Sequence, residues 1–199
     1  MRVAIVPTGT ANTASVSAAF RRLGADPTFA TDAAAVRTAE HVVLPGVGSF
    51  GSAMTEIDRH GLRDALVERV EAGRPTLAVC VGMQLLATAS EESPHVDGLS
   101  IIDQEVRRFP GTVLVPQLGW NRVTLAATES RFLIDGWAYF ANSFRMLETP
   151  AGWRAAMTDH GGNFVAAVER GNVLACQFHP ELSGSWGSAV LARWLGRAE

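Results

Sequence analysis

Apolar residues occur along the chain in two alternating patterns, short continuous runs and helical spacings. Residues 3–6 form an apolar run that ends at Pro7, and apolar side chains then recur at helical spacing from Val16 to Leu23. Residues 42–44 form a second apolar run. This order predicts a strand, a turn and a helix, followed by a further strand.

The same unit recurs further along the chain. Residues 28–30 predict a weak strand, an apolar stripe over 62–70 predicts a helix that ends at Gly73, and residues 76–79 predict another largely apolar strand. Short apolar strands that alternate with helices are typical of a parallel sheet covered on both faces. The alanine-rich stretch 33–35 yields no local prediction.

Beyond Pro94 the pattern changes to short segments separated by turn residues. A last helix is predicted over 188–195, and strands are predicted over 105–108, 122–125, 138–140, 164–168 and 173–178. We therefore expect an α/β fold with a doubly wound, mostly parallel central sheet, helices on both faces and a β-rich C-terminal half. The 199 residues, 47% of them hydrophobic, suit a single domain over residues 1–199.

The composition excludes several classes of function. The formal net charge of −3 leaves no surplus of cations for the phosphates of nucleic acid. All 17 basic residues are arginines, which excludes mechanisms that use a Schiff-base or P-loop lysine. No apolar window approaches the ~20 residues that span a membrane. With two cysteines and no long apolar stretch in residues 1–7, we expect a cytoplasmic protein.

Cys80 is the first candidate for chemistry, because it lies between the predicted strand 76–79 and a helical run that begins at Gly82. The small residues Ala78 and Gly82 flank it at equal distances, which allows the sharp strand-to-helix turn that presents a nucleophile. A helix N-terminus there favours the thiolate. The alternative is a buried structural cysteine, the more common role in an apolar run, and we assign that role to Cys176.

A second candidate element follows the last predicted strand, in the string QFHPE over 177–181. The carboxylate of Glu181 lies two residues after His179, where it can fix the tautomer of the imidazole and stabilise its cation. Cys80, His179 and Glu181 then supply a nucleophile, a base and an orienting group. Taken singly, the histidine and the glutamate also fit ordinary structural or solvated roles. Because neither cysteine has a CxxC partner, we expect no metal and no cofactor.

A third candidate element, the string PGVG over 45–48, supplies backbone donors. The N–H groups of Val47 and Gly48 follow a predicted buried strand and, with the N–H of Val81, form a candidate oxyanion hole. An ordinary strand-ending turn is the alternative interpretation.

Seven strings together resemble the class I, or triad-type, glutamine amidotransferases, and among these the glutaminase subunits of imidazole glycerol phosphate synthases. They span most of the chain: PGVGSFG (45–51), CVGMQLL (80–86), SEE (90–92), GL (98–99), PQLGWN (116–121), YF (139–140) and FHPE (178–181). The resemblance implies that Cys80 attacks the side-chain amide of glutamine to form a thioester, while His179 moves protons and Glu181 orients His179.

The resemblance also implies substrate contacts and a partner. The residues that would hold glutamine are Gly48, Gln84, Glu92, Ser143 and Phe144, with Glu92 matching the α-ammonium group. Read alone, Gln84 and Glu92 could equally be polar residues on a helix surface. Members of this subfamily dock on a (β/α)₈-barrel cyclase that takes up the ammonia. The residues expected at that interface are Asn12, Pro116, Gln117, Gly119, Trp120 and Asn121.

Four positions depart from the usual pattern of these glutaminases without removing a triad residue. Leu182 stands where a lysine is usual, so any ion pair of that lysine across the interface is absent here. Ala78 replaces a frequent glycine, and Gln117 and Asn142 each replace a frequent histidine. Two alternatives stay open: a similar amidotransferase that donates ammonia in the modification of surface sugars and, because of the departures at Leu182, Gln117 and Asn142, a non-catalytic interaction protein with the same fold.

Overall fold

Strands and helices alternate through the first half of the protein, and strands dominate the second, in a computed structural model that describes residues 1–9, 13–126 and 129–197. The elements are β1 (Arg2–Ile5), α1 (Thr13–Arg22), β2 (Asp26–Phe29), α2 (Ala33–Thr38), β3 (His41–Leu44), α3 (Phe50–Arg59), α4 (Arg63–Glu71), β4 (Thr76–Val79), α5 (Val81–Gln84), β5 (Ala87–Ser90), β6 (Ile102–Arg108), β7 (Gln117–Leu125), β8 (Gly136–Asn142), β9 (Phe144–Arg145), β10 (Arg154–Asp159), β11 (Asn163–Arg170), β12 (Val173–Cys176) and α6 (Gly184–Trp194).

The main sheet has nine strands in the order β2-β1-β3-β4-β12-β11-β10-β7-β8. From β2 to β12 neighbouring strands run parallel, and from β12 to β8 they run antiparallel. Strand β12 therefore belongs to both the parallel and the antiparallel part of the sheet. The strands β5, β6 and β9 form a separate small sheet.

The central strands form the core. Every residue of β3, β4 and β12 is buried, as is usual for parallel strands with both faces covered. The predicted α/β fold with a β-rich second half is confirmed, and the strands expected over 42–44, 76–79 and 164–168 lie in β3, β4 and β11.

Five elements have no counterpart among the predictions: helices α2 and α3 and strands β5, β9 and β10. Helix α2 includes the alanine-rich stretch and begins after Asp32, whose carboxylate accepts a hydrogen bond from the N–H of Ala35 at 2.8 Å. Helix α3 begins after the N-cap Ser49, and its second residue, Gly51, has low helix propensity. Strand β10 alternates little between apolar and polar positions. Helix α3 carries a signal that the predictions missed, because its buried residues Phe50, Ala53, Met54 and Ile57 recur at helical spacing. In α2 and β10 the apolar spacing is not distinctive, and packing against neighbouring elements stabilises them.

A buried arginine fixes the start of β4. The side chain of Arg69 on α4 is almost completely buried, and it donates hydrogen bonds to Thr76 Oγ1 and to the carbonyl oxygens of Val36, Ala39, Glu40 and Pro75. Burial lowers the pKa of this guanidinium to about 10, so it remains charged at neutral pH. Helix α4 is thereby joined to the end of α2 and to the beginning of β4.

We expect Arg69→Met to lower the free energy of unfolding by roughly 3 kcal/mol, because it leaves several buried carbonyl oxygens without donors. Urea denaturation followed by circular dichroism measures this change. The exposed Arg21 on α1 provides a control, since Arg21→Met should change stability by less than about 0.5 kcal/mol. Equal stabilities of the two variants would contradict the role of Arg69.

Candidate active site

Cys80 occupies the turn between β4 and α5. Its φ of 54° and ψ of −112° lie where residues other than glycine are rarely found. The turn is therefore strained, as in enzymes that present a nucleophile between a strand and a helix. Helix α5 has only four residues, so its dipole at Cys80 is weak.

Two glycines hold the loop after β3 against this turn. A Cβ atom on Gly82 would clash with the carbonyl oxygen of Leu44, and one on Gly46 would lie 2.5 Å from the backbone nitrogen of Gly82. Only glycine fits at either position, because the two backbones are in direct contact. This contact places residues 45–48 beside Cys80.

His179 reaches Cys80 because β12 runs parallel to β4. Cys176 at the end of β12 pairs with Val79, and its carbonyl oxygen accepts a hydrogen bond from the N–H of Cys80 at 2.7 Å. The segment after β12 then leads to the same edge of the sheet. The backbone N–H of His179 donates to the carbonyl oxygen of Tyr139 on β8 at 2.9 Å, which fixes its position.

The imidazole of His179 lies between Cys80 and Glu181. Its Nδ1 lies 2.9 Å from Glu181 Oε1, and Cys80 and His179 line the same cavity. Burial lowers the pKa of His179, but the hydrogen bonds and negative charges of Cys80 and Glu181 outweigh it and raise this pKa to about 10. The ring is therefore an imidazolium at neutral pH. Glu181 is itself buried, and its Oε2 has no hydrogen-bond partner among the described residues.

A cavity of about 240 Å³ opens in front of Cys80 and His179. Its walls include every residue that the sequence predicted for substrate binding or the oxyanion hole: Val47, Gly48, Val81, Gln84, Glu92, Ser143 and Phe144. Glu92 Oε2 accepts a hydrogen bond from the N–H of Phe50 at 2.7 Å, which holds this carboxylate at the cavity wall. The arrangement suits a small polar ligand with a cationic group.

The predicted oxyanion donors are only partly arranged for that role. Gly48 has a φ of 105°, which a residue with a side chain would rarely adopt. The N–H of Val81 donates to the carbonyl oxygen of Gly46 at 3.3 Å and so already has a partner. The oxyanion hole of Val47, Gly48 and Val81 thus stays a prediction.

The model of the family "Glutamine amidotransferase class-I" matches residues 5–196. The chain belongs to this family. The amidotransferase is 39% identical over 196 residues to the imidazole glycerol phosphate synthase subunit HisH of Symbiobacterium thermophilum, a match that covers 97% of this chain and 92% of the relative. It is also 39% identical over 197 residues to the subunit of the same name from Methanothermobacter thermautotrophicus, and this match covers 97% of both chains.

Solved structures agree with this assignment at the level of the fold. A crystal structure of a glutamine amidotransferase superposes with a TM-score of 0.77 at 19% identity, and covers 98% of this chain and 97% of that one. The structure of PurLQS from Thermotoga maritima gives a TM-score of 0.76 at 16% identity, with the same coverages. The predicted family is confirmed, and the amidotransferase is a glutamine-hydrolysing enzyme.

Three residues beside the cavity of the amidotransferase had no predicted role. Ala141 and Asn142 line the cavity from the end of β8, and Gln177 approaches Cys80 from the end of β12. The sequence does contain a signal for Gln177, because this residue directly precedes the string FHPE. Ala141 carries no such signal because only the position of β8 brings it to the cavity.

Of the predicted interface residues, Trp120 lies on an exposed face of β7, and Gly119 on the same strand is half-buried. Trp120 is 54% exposed and its neighbour Leu118 is 67% exposed, while Pro116 is exposed and Asn121 half-buried. Gln117 differs, because its side chain is only 5% exposed and points away from this face. Asn12 lies outside the described residues.

Within the described ranges, no group of three or more histidine, cysteine, aspartate or glutamate side chains is placed to bind a metal ion. None of the helices described is long and apolar enough to cross a bilayer. Cys176 is completely buried, and burial raises the pKa of its thiol well above the ordinary value. This agrees with its expected structural role.

We expect Glu181→Gln to shift the alkaline limb of the pH profile of glutamine hydrolysis to lower pH, by about one to three units. The loss of the carboxylate lowers the pKa of His179, so the imidazolium loses its proton at a lower pH than the value of about 10 in the native protein. The dependence of kcat/KM on pH measures the shift. Glu105→Gln, at a charged position outside the cavity, is the control. An unchanged alkaline limb would show that Glu181 does not stabilise the cation.

Proposed function

We propose that this amidotransferase is the glutaminase subunit of an imidazole glycerol phosphate synthase in histidine biosynthesis, and that it releases ammonia from glutamine for a (β/α)₈-barrel cyclase. The observation that carries the proposal is the buried contact of Cys80, His179 and Glu181 at the cavity of a chain 39% identical to two HisH subunits. The names of these relatives favour this function over the modification of surface sugars. The intact triad disfavours a non-catalytic protein.

The first half of the reaction is the attack of Cys80 on glutamine. The sulfur forms a bond to the side-chain carbonyl carbon, and negative charge develops on the carbonyl oxygen near the predicted donors Val47 and Gly48. As the C–N bond breaks, His179 donates its Nε2 proton to the leaving nitrogen, since Nδ1 is held by Glu181. Ammonia leaves, and a γ-glutamyl thioester and a neutral imidazole remain.

The second half of the reaction restores the enzyme. The neutral imidazole of His179 removes a proton from water, and the resulting hydroxide attacks the thioester carbon. The C–S bond then breaks, glutamate is released, and the thiolate of Cys80 and the imidazolium of His179 form again. The net reaction converts glutamine and water into glutamate and ammonia.

Charge and position support the assignment of Glu92 to the α-ammonium group of glutamine. Glu92 lies on the wall of the cavity that contains Cys80, and its carboxylate is already oriented by the N–H of Phe50. A fixed carboxylate selects an amino acid over a simple amide, because the latter has no cation to pair with it. Glu92 would thereby set the distance between the α-carbon and the sulfur.

The exposed face of β7 supports the docking of a cyclase. Trp120 and Leu118 are large apolar side chains left open to solvent, and aromatic residues of this kind commonly anchor protein interfaces. The ring of Trp120 packs edge-on against Tyr139, whose backbone holds His179. A partner on this face would therefore lie next to the element that positions the catalytic histidine.

We further propose that the amidotransferase acts in the cytoplasm. Both cysteines are unpaired. The attack on glutamine requires a reduced Cys80, and reducing compartments keep thiols in that state.

In the complex reconstituted with the cyclase, Cys80→Ala should abolish product formation from glutamine and leave product formation from ammonium salts intact, because only the release of ammonia needs the sulfur. A coupled assay of imidazole glycerol phosphate measures both. Cys176→Ala is the matched control and should retain activity with glutamine. Residual glutaminase activity in the Cys80 variant would refute the role of this residue.

We expect Trp120→Ala to weaken the binding of the cyclase by about 2 kcal/mol, which is roughly 30-fold in Kd, because it removes an aromatic anchor. Isothermal titration calorimetry measures the affinity, and the free energy of unfolding of the isolated chain should not change. Phe29 on the opposite edge of the main sheet is equally exposed. Phe29→Ala should leave the affinity unaltered, and equal losses in both variants would argue against docking at β7.

A further inference from the structure

A buried glutamine contacts the sulfur of Cys80 and takes no part in the mechanism described above. Gln177 follows β12 and is only 1% exposed, and its Nε2 lies 3.7 Å from Cys80 Sγ, within the range of a hydrogen bond to sulfur. The triad chemistry assigns it no task. A polar side chain buried next to a reacting atom indicates a role in the chemistry of that atom.

A chain of hydrogen bonds determines which end of the Gln177 amide faces the sulfur. The carbonyl oxygen of Phe144 accepts from Gln84 Nε2 at 3.2 Å and from Asn142 Nδ2 at 2.9 Å. A carbonyl can only accept, so the amide nitrogen of Gln84 must face Phe144. That nitrogen also donates to Gln177 Oε1 at 2.9 Å. The oxygen of Gln177 is thus engaged, and its N–H group points to Cys80.

Some groups around the sulfur favour the neutral thiol of Cys80, and others favour its thiolate. The carbonyl oxygen of Ala141 lies 3.9 Å from Sγ and can accept a hydrogen bond only from the neutral thiol. The thiolate instead needs donors, and the N–H of Gln177 provides one in addition to the imidazolium of His179. With only one turn of helix in α5, a side-chain donor becomes more important.

We propose that Gln177 is a further catalytic residue, which donates a hydrogen bond to the thiolate of Cys80, and that Gln84 is the positioning residue that orients its amide. This rests on the proposed role of Cys80 as the nucleophile. The contact forms with the thiolate before attack and again when glutamate leaves. Both amide hydrogens of Gln84 are used in this chain, so Gln84 meets glutamine through its oxygen, as an acceptor.

The variant Gln177→Met tests the proposal, because methionine keeps the length of the side chain and removes the donor. The full-length chain is treated with iodoacetamide, without glutamine or cyclase, and the rate of modification of Cys80 is measured against pH. We expect the midpoint of this profile to rise by about one pH unit. The rate on the alkaline plateau should be equal or higher, since a less stabilised thiolate is a better nucleophile.

Gln104→Met is the matched control, since Gln104 donates to a backbone carbonyl, that of Glu148, away from the cavity. The other titratable groups around Cys80 are His179, Glu181 and Glu92, and all are unchanged in both variants. A midpoint for Gln177→Met equal to that of the native protein would overturn the proposal.

A second measurement on the native protein does not depend on whether the variant folds. The side-chain ¹⁵N–¹H signals of Gln177 should shift at the pH midpoint of Cys80 alkylation, and the shift should be absent in Cys80→Ala. Signals that do not respond at that pH would also overturn the proposal. Neither experiment needs glutamine or the cyclase, so a negative result here leaves the proposed function to be judged by the complex assay with Cys80→Ala.

Discussion

The active site depends above all on the parallel pairing of β4 with β12. Parallel neighbours end at the same edge of a sheet, so residues that follow the two strands meet although they are far apart in sequence. The hydrogen bond from the N–H of Cys80 to the carbonyl oxygen of Cys176 extends this pairing to the proposed nucleophile. A shift of one residue between the two strands would move His179 away from the sulfur.

Both ends of β4 are held by contacts that leave little freedom. At its start, Arg69 is bonded to Thr76 and to backbone carbonyls of neighbouring segments. At its end, the direct contact between Gly46 and Gly82 supports the strained backbone of Cys80. A strained turn persists only where its surroundings determine it, and here a fully buried strand between two fixed points does so.

Two different hydrogen-bonded chains converge on the sulfur. One is ionic and passes from Glu181 through His179, and the other is uncharged and passes from Phe144 through Gln84 and Gln177. Both lie in a largely buried region, where hydrogen bonds are stronger than in water and unpaired groups cost more. The ionic chain can exchange a proton with the substrate, whereas the amide chain cannot. The amide chain can therefore stabilise the thiolate of Cys80, while His179 stays available for proton transfer.

Continuous apolar runs predicted the strands β3, β4 and β11 and the fold class, and the strings around Cys80 and His179 led to the proposed triad, because both are local properties of the chain. Helix α2 and strand β10 could not be predicted in this way, because their apolar positions follow no clear period, whereas the helical spacing of the buried residues of α3 was present and overlooked. The burial of Gln117, the hydrogen bond from Val81 to Gly46 and the contact of Gln177 with the sulfur become visible only in the folded chain. The physical reason is that these contacts follow from the register and packing of segments distant in sequence, which no local pattern specifies.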